Sequence, residues 1–119
     1  MRNIDTLKNT SAFKEVYEYK RSAANQMLVL YSAPSNGKKL GISVSKKIGN
    51  SVIRHRAARL IRESYLHLKD LLPEDTAIVV IGRSQIVGKK QADVEAALLH
   101  LCRKQNLVKE NEEDFNLPN

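Results

Sequence analysis

Tryptophan is absent from this chain, and its aromatic complement is only two Phe and four Tyr. A hydrophobic core built from it must be largely aliphatic. The single cysteine, Cys102, excludes an intramolecular disulfide and fits a reducing compartment. It falls beside the apolar stripe of the last helix and reads as an inert packing thiol. No internal repeat or low-complexity linker interrupts the chain. No apolar run approaches the length of a membrane-spanning helix. The N-terminus, Met1-Arg-Asn-Ile-Asp-Thr6, lacks the hydrophobic region of a secretory leader. These absences lead to the expectation of a cytoplasmic protein with no membrane partner. His67 and His100 stand at no metal-ligand spacing from Cys or carboxylates. No grouping of Ser, His and Asp suggests nucleophilic catalysis. These residues therefore offer no metal site and no nucleophilic triad.

What is present in excess is positive charge, +7 overall. It is unevenly spread. Residues 109–119 hold one Lys against four acids, a net of −3, which leaves 19 cations against nine acids, +10, on residues 1–108. Such a balance attracts polyanions, nucleic acid first and an anionic membrane surface second. At 119 residues the chain reads as one α+β domain over 1–108 with an acidic, disordered tail over 109–119. A chain of this size buries roughly two thirds of its unfolded surface, enough for one core.

The order of elements follows from periodicity. Asn9, Thr10 and Ser11 are N-cap candidates for a helix over 11–19, with Phe13, Val16 and Tyr17 on one face. A β-rich run over 27–33 and another over 40–44 flank the turn Pro34-Ser-Asn-Gly37, which predicts a hairpin. A short strand before Met27 is possible but has no visible pattern. A long helix is predicted over 50–69. Ile53, Ala57, Leu60, Ile61, Ser64 and Leu68 share one face of it; His55, Arg59 and Arg62 lie opposite, and Arg54 and Arg56 flank. Leu66 falls on the polar face without explanation. The run Ala77-Ile-Val-Val-Ile81 looks like a strand covered on both faces. A last helix over 93–104 turns Val94, Ala97, Leu98 and Leu101 inward. Helices packed on a small sheet result.

The segment over 46–63 carries the chemistry. It contains Lys46, Lys47, Arg54, Arg56, Arg59 and Arg62 against one acid, Glu63. Like charges at i,i+4 repel by a few tenths of a kcal/mol per pair, so a face this cationic reads as awaiting an anion rather than as ordinary solvated surface. Guanidinium groups take phosphate through forked, charge-assisted hydrogen bonds, and Lys adds a point charge. Gly49 and Asn50 open the helix, where free backbone N–H groups favour a further anion. A basic helix alone is shared by many helices that bind nucleic acid or calmodulin. On spacing alone, Phe13 and Tyr17 read more readily as core anchors than as a binding surface, and Tyr31 is ambiguous. Lys89 and Lys90 either add to the basic field or are simply solvated.

The layout Ser-Val-Ser-Lys-Lys-Ile-Gly-Asn-Ser-Val-Ile-Arg-X-Arg-X-X-Arg-Leu-Ile-Arg-Glu over 43–63 is more distinctive. It closely resembles the signature of the protein subunit of bacterial ribonuclease P. In that family a strand is followed by Lys-Lys-(Ile/Val)-Gly, then by Arg-Asn-Arg and Arg-Leu-(Ile/Leu)-Arg on a helix. Phe13-Lys-Glu-Val-Tyr17, Ala24-Asn25, Leu28-Val-Leu-Tyr31, Ala77 to Gly82 and Leu101-Cys-Arg-Lys104 extend the likeness over about residues 5–108. Two positions depart from it. His55 stands where the family has Asn between two arginines, and Ala58 where a basic residue is common.

The resemblance implies an αβββαβα fold with a left-handed crossover through the basic helix. It implies that a catalytic RNA, with bound Mg²⁺, removes the 5′ leader of precursor tRNA. The protein would bind that RNA through Lys47, Asn50, Arg54, His55, Arg56, Arg59 and Arg62. It would hold the single-stranded leader in a cleft of Phe13, Tyr17 and Tyr31, with Lys46 nearby. No cofactor is held by the protein itself, and no obligate protein partner is inferred. Two alternatives differ in class. One is a ribosomal or translation-associated RNA-binding protein. The other is an autonomous nuclease, which would need an acidic metal cluster where the acids here are scattered.

Overall fold

A computed structural model describes residues 4–108; the acidic tail predicted over 109–119 lies outside them. The helices are α1 (Thr10–Glu18), α2 (Ser51–Leu68) and α3 (Gln91–Lys104). The strands are β1 (Arg21–Ala24), β2 (Leu28–Pro34), β3 (Lys39–Val44) and β4 (Thr76–Gly82). The chain order is thus αβββαβα, as the family resemblance implied. Single 3₁₀ turns at Lys46–Ile48, Lys69–Leu71 and Ser84–Ile86 join the later elements. No helix among the described residues is long and apolar enough to cross a membrane.

The sheet order is β1-β2-β4-β3. This corrects the hairpin expected across Pro34–Gly37. β2 and β3 do not pair; β4 lies between them, antiparallel to β2 and parallel to β3. The reason is burial. Ala77-Ile-Val-Val-Ile81 is apolar on both faces, so it takes the interior position where both edges are paired and Ala77 to Val80 are buried; only Ile81 stays partly exposed. The turn bonds to the entry of β4 instead of closing on itself: Ser35 N–H donates to Asp75 O at 3.0 Å. The true hairpin joins β1 to β2. Asn25 organises its corner, its Oδ1 accepting from the Met27 and Leu28 N–H groups at 3.1 and 2.8 Å. The outer edge of β3 is not bare. Leu40 N–H donates to Asp5 O at 2.9 Å, and Leu7 N–H to Leu40 O at 3.0 Å.

Strand alternation divides the apolar residues between two faces. Leu28, Leu30, Leu40, Ile78 and Val80 meet α2 and α3 in the larger core. Ala33, Ala77 and Val79 meet Val16 of α1 on the opposite face, joined by Leu7, Phe13, Tyr17, Tyr31 and Ile81 at partial burial. Ser64 faces inward as expected. Its Oγ donates to Leu60 O at 2.8 Å and accepts from Gln91 Nε2 at 2.7 Å. Tyr65, absent from the predicted face, is also fully buried, and Leu66 is half-buried. Helix α3 begins two residues earlier than predicted, because Asp93 Oδ2 accepts the Lys90 N–H at 3.1 Å and so caps from inside.

Burial pushes the Cys102 thiol up to about 12, and burial with nearby Asp5 and Cys102 pushes the Tyr65 phenol up to about 12. Both neutral forms are favoured in the folded state, so both contributions are fully present below the unfolded values of 9.0 and 10.0. They are lost as pH rises toward 12. The expected outcome is a melting temperature that falls from about pH 9 upward, with a shallower fall in Cys102→Ala. A flat profile between pH 9 and 11 would contradict this.

Candidate nucleic-acid interface

The basic helix enters through a crowded turn. A Cβ on Gly49 would stand 2.9 Å from Ile53 Cδ1, so any larger residue there would force that side chain to shift. Asn50 caps the helix, its Oδ1 accepting from Ile53 N–H at 3.0 Å. Arg54, half-buried, donates from Nε to Gly49 O at 3.3 Å. Asn50 and Arg54 therefore both stabilise the turn, whatever else they touch. Arg56 donates from Nη1 to Lys89 O at 3.1 Å, which ties the flank of α2 to the turn before α3. His55, Arg56, Arg59 and Arg62 are all exposed. The positions from Arg54 to Arg62 span about 12 Å along the helix axis. Lys46 and Lys47 are exposed on the 3₁₀ turn that connects β3 to α2.

A second surface lies across the sheet. Helix α1 covers one half of its face, over Ala33, Ala77 and Val79. By register, the other half presents Tyr31, then Val29 opposite Ile81 opposite Ser43, with Ala24 at the outer strand. Val29, Tyr31, Ile81 and Ser43 remain partly exposed and Ala24 is exposed. The border between the covered and open halves is a row of rings. Phe13 lies against Gly41 so closely that a Cβ there would be 2.8 Å from its Cε2. Phe13 and Tyr17 have ring centroids 6.4 Å apart at 51°. Tyr17 and Tyr31 meet edge-to-face, 4.9 Å apart at 79°. All three are half-buried. Each ring is thus partly packed and partly exposed. Burial, then the neighbouring Tyr31, raises the Tyr17 phenol, which stays neutral and able to donate a hydrogen bond.

The structure brings Phe13, Tyr17 and Tyr31 together and sets them apart from the arginines. The two groups occupy opposite faces of the sheet, because α1 and α2 pack on opposite faces. Lys46 and Lys47 follow the end of β3, on the turn that leads into α2. The open half also holds Val29 and Ile81, which the sequence did not single out, and Arg83 follows at the end of β4. Arg83 is exposed just past β4 and donates from Nη1 to Asn25 O at 2.8 Å. A lone Arg after a glycine has no periodic signal. Ile81 belongs to the run expected to be covered on both faces, yet it and Val29 stay partly exposed. Among the described residues, no group of three or more His, Cys, Asp and Glu side chains could hold a metal.

A family model for ribonuclease P matches residues 1–106. A ribonuclease P protein component of Lachnoclostridium phytofermentans is 40% identical over 114 residues, 94% of this chain and 98% of the relative. One from Brevibacillus brevis is 37% identical over 113 residues, 92% of this chain and 90% of the relative. Among solved structures, an RNase P protein of Staphylococcus aureus superposes with a TM-score of 0.80 at 28% identity, covering 90% of this chain and 100% of that one. That of Thermotoga maritima gives 0.74 at 25%, covering 83% and 96%. Motif, fold and relatives agree: the chain belongs to the ribonuclease P protein family.

Proposed function

We propose that this protein serves ribonuclease P by gripping two RNAs on two faces of one sheet. The cationic face of α2 binds the catalytic RNA through Arg56, Arg59, Arg62, His55 and Lys47, with Asn50 and Arg54 fixing the turn that aims them. The open half of the opposite face takes the single-stranded 5′ leader of precursor tRNA. Unpaired bases stack on Phe13, Tyr17 and Tyr31, and Lys46 draws the phosphates. The observation that carries this reading is the ring row bordering an uncovered half-sheet, with cations at its end. Stacking on such rings has little sequence preference, which suits leaders of varied sequence.

In this reading hydrolysis belongs to the RNA, and the Mg²⁺ it needs is held there. The cleft's donor set of rings, hydroxyls and cations does not suit a divalent cation. The protein's residues bind and orient, working in the cytoplasm beside the tRNA pool. Family membership favours this over the ribosomal alternative.

The test is a comparison of two ligands for the reconstituted holoenzyme. Phe13→Ala or Tyr17→Ala is expected to weaken precursor tRNA binding about tenfold, at about 1–3 kcal/mol per stacked base, and to leave mature tRNA binding near the parent value. Equal losses for both ligands, in a variant that melts normally, would return the rings to a purely packing role.

A further inference from the structure

A cavity of about 200 Å³ opens between the start of α2 and the turn leading to α3, walled by Ile53, Arg56, Ala57, Ile86, Val87 and Gly88. Its lining is apolar except for Arg56, whose guanidinium is pinned at the rim by Lys89 O. Four large apolar residues stand exposed among the described ones, and two of them are here: Val87 at 43% on the wall and Val52 at 73% on the adjoining turn of α2. Val52 shares its helix face with His55, Arg56 and Arg59, three, four and seven residues on. Lys89 and Lys90 follow the opposite wall. The result is a small apolar notch inside a cationic border.

Charge complementarity selects the occupant. The partner must offer a compact apolar group carried on an anionic chain. An apolar cavity of about 150 Å³ elsewhere admits benzene, so one planar heterocycle fits here and a base pair does not. A lipid surface is also apolar and anionic, but it takes protruding side chains, and this feature is concave. We propose that the notch receives one unpaired, splayed-out base of the RNA bound by α2, with its flanking phosphates on Arg56 and the Lys89–Lys90 pair. The site continues the basic face of α2 and rests on the reading that this face meets RNA.

Salt titration separates the two ideas. Binding of a bacterial ribonuclease P RNA is measured for the parent protein, Val87→Ser and Arg59→Ala. Val87→Ser removes an apolar wall and no charge, so affinity is expected to fall about fivefold with an unchanged slope of log affinity against log salt. Arg59→Ala is expected to flatten that slope by about one unit. Unchanged affinity in Val87→Ser beside a flattened slope in Arg59→Ala would overturn the notch and leave RNA binding standing. No change in either would remove both. Loss of phosphatidylglycerol-vesicle binding in Val87→Ser, with RNA affinity intact, would assign the notch to lipid and overturn the proposal. A Val87→Cys protein carrying a photoreactive label gives an independent readout, since buried Cys102 will not compete for the label. Crosslinks to one unpaired nucleotide are expected; crosslinks spread along paired backbone would overturn the proposal.

Discussion

Replacing Arg56, Arg59 and Arg62 together with Ala is expected to weaken binding to the catalytic RNA about a hundred- to a thousandfold near physiological salt. Each exposed arginine that reaches a phosphate gives a charge-assisted bond, screened by solvent to about 1–1.5 kcal/mol. Three of them make two to three decades. The signature is the salt dependence. Each phosphate contact releases condensed counterions, so the slope of log affinity against log salt should flatten by about 0.9 per arginine, close to three units in all. Stability should change little: all three side chains are exposed, and relief of like-charge repulsion on one face offsets loss of the single Arg56–Lys89 hydrogen bond. Arg62→Lys keeps the charge but loses the fork. It should retain the parent slope with a smaller loss of affinity. A triple variant with the parent slope would remove phosphate contact from this face.

Gly41→Val is expected to lower stability by about 1–3 kcal/mol, a fall in melting temperature on the order of 5–15 °C. The added Cβ would lie 2.8 Å from Phe13 Cε2 and 2.9 Å from Leu7 Cδ1, so it is pinched from two sides. Phe13 must leave its place on β3, and the ring row with Tyr17 and Tyr31 loses its first member. The folded fraction should therefore bind precursor tRNA no better than mature tRNA, while its affinity for the catalytic RNA stays near the parent value. The arginines lie across the sheet and do not feel the change. Gly41→Ala should show the same pattern more weakly. An unperturbed melting temperature together with intact preference for precursor tRNA would mean that Phe13 does not depend on this contact.

The two variants separate what was legible from what was not. The arginine helix was legible because its information is local. Its apolar period, its caps and its charge all fall within one contiguous stretch, and the observed helix ends within a residue of the predicted one. The first and last helices were readable for the same reason. Tyr65 escaped because a phenol on a wheel counts as polar, yet this one is buried with Asp5 of the N-terminal segment close enough to affect its titration. The sheet order escaped because a turn of four residues suits a hairpin equally well. The choice depended on where β4, far along the chain, could bury both its faces.

The sequence by itself determined the polarity of each helix, the concentration of positive charge on one of them, and the aromatic residues available for stacking. These depend on neighbours three and four residues away, where helical geometry makes spacing equivalent to contact. Only the tertiary structure decided that β4 separates β2 from β3, that α1 covers half of the sheet and leaves Val29, Tyr31 and Ile81 open, and that arginines and rings stand on opposite faces. Those outcomes come from burial competing between segments distant in the chain, and a count of residues along one strand does not contain that competition.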